Sequence, residues 1–365
     1  MYSPMSGILD PMQYAIALAE NAHANGVQFF FQHEVTKIVR TGDLYEISVN
    51  QGHAKSSSYS QVDDLSERTF KTRFVVNSAG MYATRISDML GITGYLTRGF
   101  KGEYYVLDKK AGTSLRMPVY PAPNGKGGFA THATITVDGN VLVGPDSYIT
   151  DGYEDYATTR EHLAGLVRDG NKMFENVRSE YYIRTFAGIR WKRVDPETGD
   201  VLDFVLERRD EAPYAINLVG IESPGLTCAL PLARRVVAKI MEVETFKPNP
   251  SFNPERVGIK RFSELSESEA VELIAKRPEY GEIICRCENV TKGEILDAIH
   301  NSLGVHTVNS IKIRTRAMMG RCQGGYCETR ITALIREELK IPVSDILLCR
   351  NGSYLFTGKV REEIE

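Results

Sequence analysis

Four cysteines near the C-terminus constrain this chain more than any other feature: Cys285-x-Cys287, then 34 residues, then Cys322-x4-Cys327. Two close thiolate pairs that converge in space make a four-ligand metal site, and thiolates suit an iron-sulfur cluster or a structural zinc. The single residue inside the first pair favours iron-sulfur, because structural zinc typically uses about two to four intervening residues. A 2Fe-2S cluster is the first reading, with a zinc site and ordinary buried thiols as the alternatives.

The flanking residues support a built site. Thr291 with Glu294 three positions later, ahead of an apolar run, reads as a capping box. The first cysteine pair therefore stands just before a helix N-terminus, where free N–H groups favour negative charge. Around the second pair, Gly320, Gly324 and Gly325 allow the tight loop through which backbone amides reach sulfur, and a helix over about 326–340 follows. Residues 280–345 resemble the bacterioferritin-associated-ferredoxin-like 2Fe-2S domain, in particular the version fused to anaerobic glycerol-3-phosphate dehydrogenase large subunits. That resemblance implies a 2Fe-2S cluster on Cys285, Cys287, Cys322 and Cys327.

With 365 residues, 42% hydrophobic, 25% charged and a net charge of −3, the chain is long enough for two domains with their own cores. Nothing in its charge points to nucleic acid. No apolar run approaches membrane-spanning length, and the N-terminus lacks the basic and apolar regions of a signal peptide, so a cytoplasmic setting with reduced thiols is expected. Cys228 and Cys349 read as a buried core thiol and a structural tail residue. The proline-rich stretch Lys247 to Pro254 reads as a boundary. The expected organisation is a first domain over 1–255, a linker helix within 256–279, the cysteine module over 280–345 and a tail over 346–365. The run Ser56 to Ser60, followed by Asp63 and Asp64, reads as a surface hairpin or loop rather than a site.

In the first domain, Asp10-Pro11 opens a helix with Met12, Ala15, Ile16, Ala19 and Ala22 on one face, closed by Gly26. Val27 to Phe31 then reads as a β segment. The apolar run into Asn77-Ser78-Ala79-Gly80 suits a buried strand whose small terminal residues let backbone meet a ligand, and a helix over about 82–91 follows. Pro224-Gly-Leu-Thr227 precedes a helix over about 227–242 with Leu230, Ala233 and Val237 on its apolar face.

In order along the chain, Gly7-Ile-Leu-Asp-Pro11, His33-Glu-Val35, Val75 to Gly80, Lys101-Gly-Glu-Tyr-Tyr105, Ala187-Gly-Ile-Arg190 and Gly220 to Thr227 resemble the D-amino-acid-oxidase-type FAD-dependent oxidoreductases. The glycerol-3-phosphate and L-2-hydroxyglutarate dehydrogenase or oxidase branches are the most similar. The resemblance implies an α/β fold: an α+β substrate domain with the remainder of a doubly wound FAD-binding domain, ahead of a small helical 2Fe-2S domain. The Gly-x-Gly-x-x-Gly that holds the FAD pyrophosphate in that superfamily is absent from this sequence. The expectation is a chain lacking the ADP-binding half, truncated or completed by a separate polypeptide, that binds FAD weakly or not at all on its own.

The resemblance also implies roles. Val35 matches the position whose backbone meets adenine, and Ala79 and Gly80 the segment passing the cofactor. Pro224, Gly225, Leu226 and Thr227 lead into a helix N-terminus aimed at the flavin pyrimidine edge, where it stabilises negative charge. Arg190 matches the anchor for a substrate carboxylate or phosphate. His132 resembles the hydroxyl-proton base of the hydroxyglutarate branch, and Tyr104 and Tyr105 are pocket-lining candidates or simply alternating strand residues. The glycerol-phosphate branch carries Gly-Gly-Lys-x-Thr where this chain has Glu222 to Thr227, which leans toward a carboxylate substrate. Arg286, Lys312, Arg314, Arg316, Arg321 and Arg330 gather around the cysteines in sequence, to dock an acidic electron carrier or to offset the cluster's charge.

The expected function is an FAD-dependent dehydrogenase that oxidises sn-glycerol 3-phosphate or an L-2-hydroxy acid and passes single electrons through the 2Fe-2S cluster to a protein or subunit. A non-catalytic electron-transfer or assembly subunit, and a zinc-held interaction domain, are the alternatives.

Overall fold

The computed structural model describes residues 2–51, 67–122, 130–350, 352–356 and 358. The Ser56 to Ser60 run with Asp63 and Asp64, and most of the distal tail, lie outside them. The described residues form two compact units. The first takes the residues up to Leu9, Glu34–Asn50 and Glu67–Pro248; the second takes Asp10–His33 with those from Asn249 onward.

Three sheets build the first unit. Strands β1 (His33–Thr41), β2 (Leu44–Gln51) and β3 (Glu67–Thr72) form a meander in that order. A second sheet, ordered β10-β11-β4, joins β4 (Val75–Asn77) in parallel to β11 (Ala215–Val219), with β10 (Val205–Glu207) antiparallel at the edge. The third is antiparallel: β5 (Leu96–Leu107) lies between β9 (Tyr182–Val194) on one side and β7 (Val141–Gly144) and β8 (Tyr148–Thr150) on the other, with β6 (His132–Ile135) beyond β7. Helix α2 (Ala83–Met89) follows β4, α3 (Arg160–Gly170) follows β8, and α4 (Ala229–Met241) follows β11.

Apolar alternation decides which strand faces are covered. Ile38, Tyr45, Val75 and Ala215 make one core with Leu90 and Ile92; Leu107, Ala133, Val141 and Val143 make another with Phe174 and Val177. Asn77, on β4, is buried and donates from Nδ2 to Ala83 O and to Asn217 Oδ1, both at 2.8 Å, which ties the two parallel strands to the start of α2.

In the second unit, α1 (Pro11–Ala24) starts as its sequence dictates: Asp10 accepts from the N–H groups of Met12 and Gln13, and Gly26 at φ 92° closes it. Gln13 donates to the carbonyls of Ile313 and Arg314, and Glu20 pairs with Arg256. Helix α5 (Glu267–Lys276) carries a Ser266/Glu269 capping box. A short antiparallel pair, β12 (Ile283–Cys285) and β13 (Val290–Thr291), leads into α6 (Lys292–Ile299), whose Thr291/Glu294 capping box forms as expected. Helices α7 (Val308–Thr315) and α8 (Glu328–Leu339) complete a core built from Ile284, Ile295, Ile299, Ile311, Ile331 and Ile335.

Three local expectations change. Val27 to Phe31 forms no strand: a strand needs a ladder to a neighbouring strand, and among the described sheets none includes this segment. Helix α4 buries Leu232 and Val236 and leaves Leu230, Ala233 and Val237 exposed, because two apolar stripes share the helix and only packing chooses between them. Cys228 sits half-exposed at the N-cap of α4 rather than in the core, and Cys349 is exposed.

Candidate functional sites

The four predicted cysteines converge. Cys285 ends β12 and Cys327 caps α8, both buried, while Cys287 and Cys322 are exposed on the two intervening loops. Cys287 Sγ lies 3.6 Å from Cys322 Sγ, and the Cys285 and Cys327 side chains are hydrogen-bonded. A tetrahedral metal with metal–sulfur bonds of about 2.3 Å holds its sulfurs roughly 3.7 Å apart, so the exposed pair is spaced for one shared metal. Among the described residues no three His, Cys, Asp or Glu side chains are grouped to hold a single ion. The four thiols together would suit a two-metal cluster.

The hydrogen bond from Cys327 holds the Cys285 thiol down to about 6, helped by the backbone N–H groups of Met318, Glu288 and Cys287; the same contact and burial push Cys327 up. The Tyr326 N–H lowers Cys322. In each pair one thiol is thus lowered and its partner raised. Gly320 permits this geometry: a Cβ there would stand 2.2 Å from Cys287 Cβ. Glu288, almost fully buried, accepts from Arg316 Nε at 3.0 Å and fastens one cysteine loop to the other. This ion pair was invisible in the sequence, since no local spacing links positions 288 and 316. Of the cations near the cysteines, Arg316 is thereby internal, Arg314 is buried beside Glu20, and Arg330 pairs with Glu282 at 2.7 Å. Arg286 lies over the Tyr326 ring at 4.4 Å.

The substrate-side candidates collect on one face of the β5–β9 sheet. Directly paired residues on neighbouring strands project to the same side. Phe100 pairs with Arg190, Tyr104 with Phe186 and His132 with Gly144, so Arg190, Tyr104 and His132 share a face. Tyr105, Val143 and Ala133 belong to the opposite, core face. Tyr105 stacks on Tyr182 at 4.4 Å and is not brought to the other candidates; period-two alternation allows only one of two successive tyrosines there. Tyr104 stacks on Phe186 at 4.9 Å, and its hydroxyl is pushed up to about 12 by burial, which keeps it a proton donor. Gly188 lies between Phe186 and Arg190, and a Cβ built there meets nothing within 4 Å, leaving an open floor.

His132 donates or accepts according to tautomer. Its Nδ1 is 3.1 Å from the Ala130 carbonyl, which only accepts, so Nδ1 carries the proton and Nε2 is left with a lone pair. Burial, and then the Arg190 charge, lower its pKa and keep the ring neutral near pH 7. Tyr120 stacks on this ring at 4.3 Å, a neighbour that no motif signalled.

The other residues of Lys101-Gly-Glu-Tyr-Tyr105 are scaffold. Lys101 and Glu103 are buried; Lys101 donates to Asp155 Oδ2 at 2.8 Å, and Glu103 accepts from Tyr148 and from the Thr159 N–H at the start of α3. A cleft of about 430 Å³ lined by Pro121, Thr131, Asp146 and Lys172 holds none of Arg190, Tyr104 or His132.

The cofactor-side candidates lie at the C-terminal ends of adjacent parallel strands. β4 runs into Ala79 and Gly80, and β11 into Gly220 and the turn before α4. Gly80 has φ 56° with open space where a Cβ would stand; Gly225 is required, because a Cβ there would lie 2.6 Å from the Glu222 main-chain oxygen. Thr227 Oγ1 donates to the Pro224 carbonyl and closes the turn, from which Leu226 projects exposed. Val35, on β1, packs against the core shared with Val75 and Ala215. Open space at Gly80 and a glycine-built turn beside it fit a planar cofactor laid across these strand ends.

Comparison with known proteins matches residues 1–239 to the model of FAD dependent oxidoreductases and residues 283–337 to that of the BFD-like [2Fe-2S] binding domain. A glycerol 3-phosphate dehydrogenase from Caloramator mitchellensis is 36% identical over all of this chain, which spans 72% of that relative. An L-2-hydroxyglutarate dehydrogenase from Salmonella houtenae is 24% identical over 68% of the chain and 63% of its own length. The dithionite-reduced L-alpha-glycerophosphate oxidase from Mycoplasma pneumoniae with FAD bound is similar in structure, with a TM-score of 0.51 and 26% identity over 64% of this chain and 57% of that one. No helix among the described residues is long and apolar enough to cross a membrane.

Proposed function

The chain belongs to the FAD-dependent oxidoreductase family and carries a BFD-like [2Fe-2S] binding domain, and we propose that it serves a dehydrogenase oxidising the secondary alcohol of a small anion, sn-glycerol 3-phosphate first and an L-2-hydroxy acid second. The observation that carries this reading is the gathering of Arg190, Tyr104 and neutral His132 on one open sheet face. Arg190 offers a planar fork to the substrate's anionic group. His132 Nε2 takes the hydroxyl proton as the bonding pair of the adjacent C–H leaves as hydride, which yields the ketone. Tyr104 stays protonated and donates a hydrogen bond to the substrate. When bound, FAD supplies the hydride acceptor and the [2Fe-2S] cluster a one-electron exit to a protein acceptor. Cys285, Cys287, Cys322 and Cys327 would hold that cluster. The Gly80 and Pro224 to Thr227 backbone would line the flavin, with Val35 toward its adenine side.

The test is an anaerobic titration of the FAD- and iron-loaded protein with sn-glycerol 3-phosphate, following flavin absorbance and the electron paramagnetic resonance of the cluster. Bleaching of the flavin followed by a reduced-cluster signal is expected. Flavin that dithionite reduces but neither substrate does would refute the reading.

A further inference from the structure

Arg190 is not alone on its sheet face. Lys192 lies two residues further along β9, so both side chains project to the same side, roughly 6.6 Å apart along the strand. Both turn to one carboxylate, Glu222, in the turn that leads to α4: Lys192 Nζ is 3.2 Å from Glu222 Oε1, and Arg190 Nη1 is 3.7 Å from Glu222 Oε2. Lys192 is held from its other side by the Phe100 ring, 5.1 Å from the ring centroid, and is only 20% exposed. Phe100 in turn pairs directly with Arg190 across the strands.

The arrangement is open rather than closed. A separation of 3.7 Å is too long for a hydrogen bond, and Glu222 is the one ion-pair partner of Arg190 among the described residues. Glu222 Oε2 also accepts from the Ser223 N–H at 3.2 Å while it faces Arg190, so the carboxylate is held by one neutral donor beside the two cations. With Glu222 moved aside, the two cations carry a local charge of +2, which a phosphate dianion balances fully and a carboxylate monoanion only by half.

We propose that Lys192 is the second anion-binding residue of the site and that Glu222 is a resident counter-ion that an entering phosphate displaces, so that Arg190 and Lys192 together select a phosphate-bearing substrate over a monocarboxylate. This deepens the anion-oxidising reading above and rests on it for the location of the substrate. No bond is made or broken in the exchange, and one anion replaces another.

Calorimetric titration of the full chain with inorganic phosphate and, separately, acetate reads binding without any need for turnover. Glu222→Gln should bind phosphate on the order of tenfold more tightly than the parent, because the competing charge is gone. Lys192→Met should weaken phosphate on the order of tenfold and leave acetate nearly unchanged, and Lys192→Arg should restore phosphate binding. Circular dichroism establishes that each variant is folded, and the arginine variant decides the case if the methionine variant is not. Phosphate binding unchanged or weakened in Glu222→Gln, equal losses for both anions in Lys192→Met, or no phosphate binding to parent and Glu222→Gln alike, would overturn the proposal. A failed hydride transfer with these binding results intact would instead remove the dehydrogenase reading.

Discussion

Replacing Gly320 by alanine should empty the thiol site while leaving the unit folded. The added Cβ would stand 2.2 Å from Cys287 Cβ, 3.3 Å from Glu288 Oε1 and 3.4 Å from Cys287 Cα. Carbon atoms in contact sit about 3.5 to 4.0 Å apart, so the loops must separate by roughly 1.3 to 1.8 Å. Added to the 3.6 Å between Cys287 Sγ and Cys322 Sγ, that moves the pair to about 5 Å, too far for one tetrahedral metal to bridge. The obstacle is a Cβ bonded directly to the main chain, not the free end of a flexible side chain, so relaxation is limited; overpacking of this kind costs about 1–3 kcal/mol. Gly304 provides the control. It lies in the same unit at φ 67° with nothing within 4 Å of its Cβ position, so Gly304→Ala should cost about 1–2 kcal/mol through backbone strain alone. The assay is iron and acid-labile sulfide per chain after anaerobic preparation, with a thermal melt for each variant. Loss of iron in Gly320→Ala, with iron retained in Gly304→Ala, is expected. Full iron content in Gly320→Ala would refute the argument that this contact sets the sulfur spacing.

Arg190→Ala in the flavin-loaded enzyme should raise KM for anionic substrates and lower kcat/KM by about 2–4 kcal/mol, with flavin content unchanged, since it removes a charge-assisted anchor; steady-state kinetics and flavin absorbance check it. The acid limb of kcat/KM should lie below pH 6.5, because burial and the Arg190 charge lower the His132 pKa and the base stays unprotonated to lower pH than a free imidazole. Removing the Arg190 charge lifts part of that depression, so the same limb should move to higher pH in Arg190→Ala, and an unshifted profile would separate the two residues.

Features that depend on near neighbours along the chain are legible in the sequence itself. The Thr291/Glu294 capping box and the start of α1 at Asp10-Pro11 are satisfied within one helical turn, and both form as read. The cysteine spacing states which thiols can meet, although their two-by-two arrangement depends on Gly320 and on the Arg316–Glu288 pair between separate loops. The order of short motifs through the first domain marked its family, and the relatives bear that out.

What only the tertiary structure decided is which side of each element is used and what lies across from it. Alternation states that Tyr104 and Tyr105 point opposite ways, but the covering of one face by Val143, Ala133 and Phe174 sends Tyr105 inward and leaves Tyr104 with Arg190 and His132. Tyr120 beside His132, and Glu222 between Arg190 and Lys192, join positions 12 or more residues apart. Val27 to Phe31 has strand composition and joins none of the described sheets, while α4 has two apolar stripes and buries the one holding Leu232. The physical reason is common to all of these: local sequence sets backbone preference and periodicity within a turn or a few residues. Burial, sheet pairing and ion pairing are properties of surfaces that chain folding brings together, and no single segment encodes them.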